Sequence, residues 1–180
     1  MWLLERIGLS TLLALVLTAL PWQPASASPA AALAQARQQA TTGQPEQALQ
    51  AAERALQTYP ADAQLRFFRA VLLHDMGRDE AAFAAFSELH HSHPELPDPL
   101  NNLAVIHASR GEWADARRRL EEALRNDPSH RNARENLGDV YFRLALEHWQ
   151  TAAANTRPEP ALAQKLALAR QLLQSVATRR

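Results

Sequence analysis

Three landmarks recur at a single spacing of 34 residues: Gly43, Gly77 and Gly111; Ala48, Ala82 and Ala116; Pro60, Pro94 and Pro128. Each glycine ends a stretch whose apolar residues fall three or four apart, each alanine sits in the stretch that follows, and each proline closes it. The pattern is helix, turn, helix, stop, written three times in register. A unit of this length cannot bury its apolar faces alone, so it must stack on its neighbours. The expected fold class is therefore all-α, an α-solenoid of helix-turn-helix repeats.

The landmarks have physical reasons. A glycine after a helical run supplies the left-handed conformation that ends the helix. Alanine lets two paired helices approach closely, so Ala82 and Ala116 are expected at helix crossings. Proline stops the second helix, because it lacks the N–H and disfavours a helical residue before it. On this register the units cover about 29–62, 63–96 and 97–130. The first helix is weakly apolar, with Leu33, Ala36 and Ala40 as its stripe, and Pro45 opens the second. Leu65, Phe68, Leu72 and Leu73 precede Gly77; Leu100, Leu103, Ala104 and Ile106 precede Gly111. A fourth, degenerate unit covers 131–157. It starts with Leu137, Gly138 and Tyr141, but Ala145 replaces the turn glycine, which leaves open one long helix or two with a degenerate turn. Pro158 and Pro160 then break the chain, and Leu162, Leu166, Ala169, Leu172, Leu173 and Val176 stripe a capping helix over about 159–177.

Ahead of the repeats, Ile7 to Leu20 is apolar and the small residues Ala25-Ser26-Ala27 follow. Residues 1–27 read as a secretory signal peptide cut after Ala27, leaving a mature domain over 28–180 in the periplasm or outside the cell. The apolar run is too short to span a bilayer, so no stable membrane insertion is expected after cleavage. With no cysteine, neither a disulfide framework nor an acylated cysteine is available. Nineteen basic residues against nineteen acidic ones leave no net field to attract nucleic acid or an anionic surface.

With these residues set out, the stretch from Gly43 to Leu166 resembles tetratricopeptide repeat proteins. Pro94 to Val105 and Glu135 to Tyr141 resemble, more narrowly, a group of exported proteobacterial repeat proteins. Some of those carry a further carboxy-terminal domain linked to cell-wall transpeptidases, a role not expected to carry over here. The resemblance implies that the first helix of each unit lines a concave groove for a peptide or partner helix. It also implies that Asn102 and Asn136, 34 residues apart, offer amides to an extended backbone. The same resemblance puts Phe67, Val71, His74, Asp98, Asn101, Val105, Glu135, Asp139 and Phe142 on that face. It lacks the basic cluster that would clamp a terminal carboxylate. Arg66 and Arg69 depart from the family pattern, standing where bulky apolar residues are usual.

His90, His91 and His93 invite a metal reading, but a structural zinc site wants four placed ligands and a catalytic one three. Solvated imidazoles at a helix end are the plainer expectation, and neither metal nor cofactor is expected. Arg117, Arg118 and Arg119 alternate with Glu121 and Glu122 as an exposed helix face, and Trp113 and Trp149 are expected between units. No nucleophile elbow, HExxH helix or phosphate loop is present, so the chain is not expected to be an enzyme. The expected function is a non-catalytic periplasmic scaffold, monomeric alone, holding a segment of another envelope protein. The alternatives are a self-assembling structural module and an accessory factor of peptidoglycan enzymes.

Overall fold

The computed structural model describes residues 28–154 and 159–177, with side chains described as far as Gln174. The secretory segment expected over 1–27 lies outside the described residues. Among the described residues there are eight helices and no strands: α1 (Pro29–Thr41), α2 (Pro45–Thr58), α3 (Ala63–Asp75), α4 (Asp79–Ser92), α5 (Pro97–Ser109), α6 (Trp113–Asn126), α7 (Arg131–Ala154) and α8 (Pro160–Ala177). No described helix is long and apolar enough to cross a membrane.

The turns follow the landmark logic. Gly43, Gly77 and Gly111 have φ of 76°, 72° and 76°. In each case the next N–H folds back to a carbonyl five residues earlier: Gln44 to Gln39 at 3.0 Å, Arg78 to Leu73 at 2.8 Å, Glu112 to His107 at 2.9 Å. That bond satisfies one of the orphaned carbonyls at the end of the first helix. The helix starts are capped by different side chains. Ser28 Oγ accepts from Ala31 N at 3.2 Å, Asp62 Oδ1 from Leu65 N at 2.8 Å, and His130 Nδ1 from Ala133 N at 3.0 Å. Before α7, Asp127 Oδ1 accepts from Ser129 Oγ at 2.6 Å and from Ser129 N at 2.8 Å. These bonds hold its carboxyl below the ordinary aspartate range. What they add to stability is present above about pH 4 and is lost as the pH falls through the lowered pKa.

Helices pair within each unit through alanine. Ala36, Ala48, Ala70, Ala82 and Ala116 are fully buried and Ala104 is 1% exposed, as the expected crossings require. Around Phe86 the first core joins Leu49, Leu72, Leu73, Leu103 and Ile106; a second joins Leu100, Leu120, Ala123, Ala133 and Val140. Arg66 and Arg69 do not disturb this packing. They point into a cleft between α2, α3 and α4, where their stems lie beside Leu56 and Ala85. Arg66 donates to Ser92 Oγ at 2.8 Å, and Arg69 Nε reaches Glu53 Oε1 at 3.4 Å. Leu65, Ala70, Leu72 and Leu73 carry the core in their place.

The fourth unit resolves as one uninterrupted helix of 24 residues, because Ala145 has no glycine's freedom to turn. The consequence is visible about two turns earlier. Gly138 is the counterpart of buried Ala70 and Ala104, yet it is exposed, and a Cβ built there would meet nothing within 4 Å. Tyr141, which with Leu137 and Gly138 opens the fourth unit's pattern, is 48% exposed, and its hydroxyl donates to Glu121 Oε1 at 3.0 Å. Accepting that bond, the Glu121 carboxylate holds the phenol pKa above its ordinary value. The capping helix α8 instead packs further along α7, joining Leu166 and Ala169 to Leu146, with Phe142, Trp149 and Leu162 around them.

Candidate binding groove

The first helices of successive units present equivalent faces, so residues 34 apart form columns across the concave surface. One column reads Arg37, Val71, Val105, Asp139; another reads Phe67, Asn101, Glu135. Two openings lie on this surface. Between α1 and α3, Ala30, Ala34, Arg37, Thr41 and Gln64 border a space of about 530 Å³. Between α5 and α7 lies a less open cleft of about 390 Å³ with Val105, Asn136 and Asp139 in its wall. The floor of the second is apolar: Ala104, Ala108, Leu120, Val140 and the ring of Trp113. Ser109 and Arg143 complete its rim.

Three expected groove residues therefore meet at one cleft, and the others are distributed differently. Asn136 Nδ2 donates to Asn101 Oδ1 at 2.8 Å, and Asn101 is 8% exposed, so this amide pair ties α5 to α7 at the back of the cleft. The Asn136 carbonyl oxygen makes no hydrogen bond among the described residues and is left as an acceptor. Asn102 turns to its own helix, donating to Asp98 O at 2.9 Å. Phe67 and Val71 are half-buried against the first core, and the Phe67 ring lies 5.7 Å from that of Phe86. His74 Nδ1 bonds Asp79 Oδ1 at 2.8 Å across the glycine turn. Asp98 Oδ1 is 3.1 Å from His130 Nε2. Glu135 is exposed, while Phe142 belongs to the α7–α8 packing.

Sequence reasoning placed Trp113 between units and did not see it as part of the cleft. It is half-buried against the second core, and the Arg143 guanidinium stands 5.4 Å from its ring centre. The signal was the column Thr41, Asp75, Ser109, Arg143, which puts Arg143 beside Asp139 on the concave side. For metals, the clustered histidines separate: His90 lies 3.5 Å from Glu122 and His93 lies 3.5 Å from Glu95. His107, Glu112 and Asp115 do gather, with candidate ligand atoms within 4.8 Å of one another. The first two staple the turn at Gly111 with Nδ1 on Glu112 Oε2, as His74 and Asp79 staple the turn at Gly77, and Asp115 pairs with Arg118.

Stacked two-helix units with alanine crossings, glycine turns and a concave cleft define a helical-repeat protein. The chain belongs to the tetratricopeptide repeat family, whose model matches residues 33–97 and 101–178. A probable biofilm formation methyltransferase, WspC of Pseudomonas putida, is 33% identical over 86 residues, which is 48% of this chain but 20% of that protein. Among solved structures, a tetratricopeptide repeat protein of Parabacteroides merdae superposes with a TM-score of 0.63 at 16% identity, over 87% of this chain and 63% of that one. The first such domain of Spaghetti (RPAP3), solved bound to the HSP90 peptide SRMEEVD, gives 0.60 at 13% identity, over 65% of this chain and 93% of that one. At these identities the structural likeness concerns the fold.

Proposed function

We propose that the protein is a non-catalytic scaffold of the bacterial periplasm, monomeric by itself, which holds an extended segment of another envelope protein in its concave groove. The observation that carries this reading is the α5–α7 cleft. It combines an apolar floor with Asn136, whose amino group is fixed by Asn101 while its carbonyl oxygen makes no hydrogen bond among the described residues. A preset acceptor above an apolar floor suits a peptide backbone with one side chain turned inward. The proposed address rests on residues 1–27, and the peptide-bound Spaghetti domain lends the mode of binding support by analogy.

Asparagine substitutions test it. A displayed library of random dodecapeptides, panned against the full chain, should yield binders that Asn136→Ala weakens about 2- to 13-fold, corresponding to roughly 0.5–1.5 kcal/mol. The same change leaves Asn101 without its partner and should lower the melting temperature. Asn102→Ala, which removes a bond within one helix, should do so less. Binders indifferent to both variants would take the amides out of the site.

A second reading has an observation of its own. Leu168 and Leu172, one turn apart on α8, are 57% and 50% exposed, an apolar edge suited to self-association.

A further inference from the structure

Charge on α7 decides which segments the cleft accepts. Asp139 stands in its wall and Glu135 lies one turn earlier on the same helix face, a like-charged pair four residues apart that is unfavourable by itself. Neither has an ion-pair or hydrogen-bond partner among the described residues. Arg143 is one turn beyond Asp139 and could pair with it, but its guanidinium is placed over Trp113 instead. Some acids elsewhere are matched across helices, as Glu80 is by Arg110 at 2.8 Å and Glu88 by Arg66 at 4.0 Å, while Glu46, Asp75 and Glu147 form no ion pair among the described residues. Of the other cations near this end, His130 is held by Asp98 and Arg134 by the carbonyl of Pro128, while Arg131, one turn before Glu135, forms no ion pair with it. Arg37, in the same column as Asp139, is three repeats away, well beyond the screening distance of about 8 Å in physiological salt.

We propose that the α5–α7 cleft selects an extended basic segment: an aliphatic side chain seated on the apolar floor, with lysine or arginine two positions away on either side. This rests on the groove reading above and adds the class of segment. Alternate residues of an extended chain point the same way, about 6.6 Å apart. Glu135 and Asp139 are separated by one helical turn, about 5.4 Å. A cation two residues from the buried aliphatic therefore comes within reach of a carboxylate that forms no ion pair among the described residues. A lysine or arginine there forms a charge-assisted hydrogen bond, while an acidic residue meets repulsion from both carboxylates.

The test uses labelled nonapeptides in a glycine-serine frame, titrated by fluorescence anisotropy against the full chain. The peptide carrying Lys-Ser-Leu-Ser-Lys should bind about tenfold tighter than its Glu-Ser-Leu-Ser-Glu counterpart, and Lys-Ser-Ser-Ser-Lys should bind more weakly than the leucine form. The preference should shrink as salt rises and vanish in the double variant Glu135→Gln, Asp139→Asn. It should persist in Glu88→Gln, which lies on a different cleft. Equal or tighter binding of the acidic peptide would overturn the charge assignment. So would failure of the lysine peptides while library-selected peptides bind, and either result leaves the groove reading standing. Failure of every peptide, selected ones included, would overturn both.

Discussion

Phe86→Ala is expected to lower the unfolding free energy by about 3–5 kcal/mol, the largest effect of any single change considered for this chain. The ring is fully buried on α4, lies 5.7 Å from the Phe67 ring on α3, and shares one core with Leu49 of α2 and Leu103 and Ile106 of α5. Removing it empties space at the junction of two units, which neighbours tied into helices on both sides cannot close. For a domain of this size the melting temperature should drop by on the order of 10 °C. Thermal denaturation followed by circular dichroism checks it. Arg118→Ala, on an exposed face, should change stability by less than about 0.5 kcal/mol. If the two variants melted together, Phe86 would not join the units as described.

Ala116→Trp is the second large effect, and it acts by excess rather than loss. Ala116 is fully buried where α6 crosses α5, in the place Ala48 and Ala82 hold in the preceding units. An indole there must push the helices apart or leave its rotamer, at a cost of about 1–3 kcal/mol or more. Because repeats interact with their neighbours, the damage should centre on the third unit and the cleft beside it. Hydrogen exchange should then show α5 and α6 losing protection before α1 and α2. Uniform loss along the chain would contradict a nearest-neighbour solenoid.

The lattice of the fold was legible because glycine, alanine and proline act through the backbone: a positive φ, a close crossing and a missing donor each demand one residue type. Arg66 and Arg69 were less legible. Their long stems can lie on apolar surface while their heads reach Ser92 and Glu53, so their identity does not give their direction. The course of α7 depended on an absence, the missing glycine at Ala145, and the exposure of Gly138 and Tyr141 follows from that alone.

At the site, the family resemblance put Val105 and Asp139 on the groove face, where both line the cleft, while the spacing of 34 matched Asn136 to Asn102. The side chain that meets Asn136 is Asn101, 35 residues away, because contact between successive helices joins offset positions and not equivalent ones. Trp113 stayed hidden for a similar reason. It opens α6, outside the helices that line the groove, and reaches the cleft only because the turn at Gly111 is tight.

The most direct measurement of the central claim places a photo-crosslinking residue at Val105, Arg118 or Leu168 in turn, in cells making the full chain, and identifies adducts by mass spectrometry. The account predicts that Val105 yields adducts to one extended peptide segment of an envelope protein, that Arg118 yields none, and that the Val105 adduct is lost in the Glu135→Gln, Asp139→Asn background. Adducts from Arg118 with none from Val105 would contradict it, as would crosslinks confined to Leu168 that join two copies of this chain.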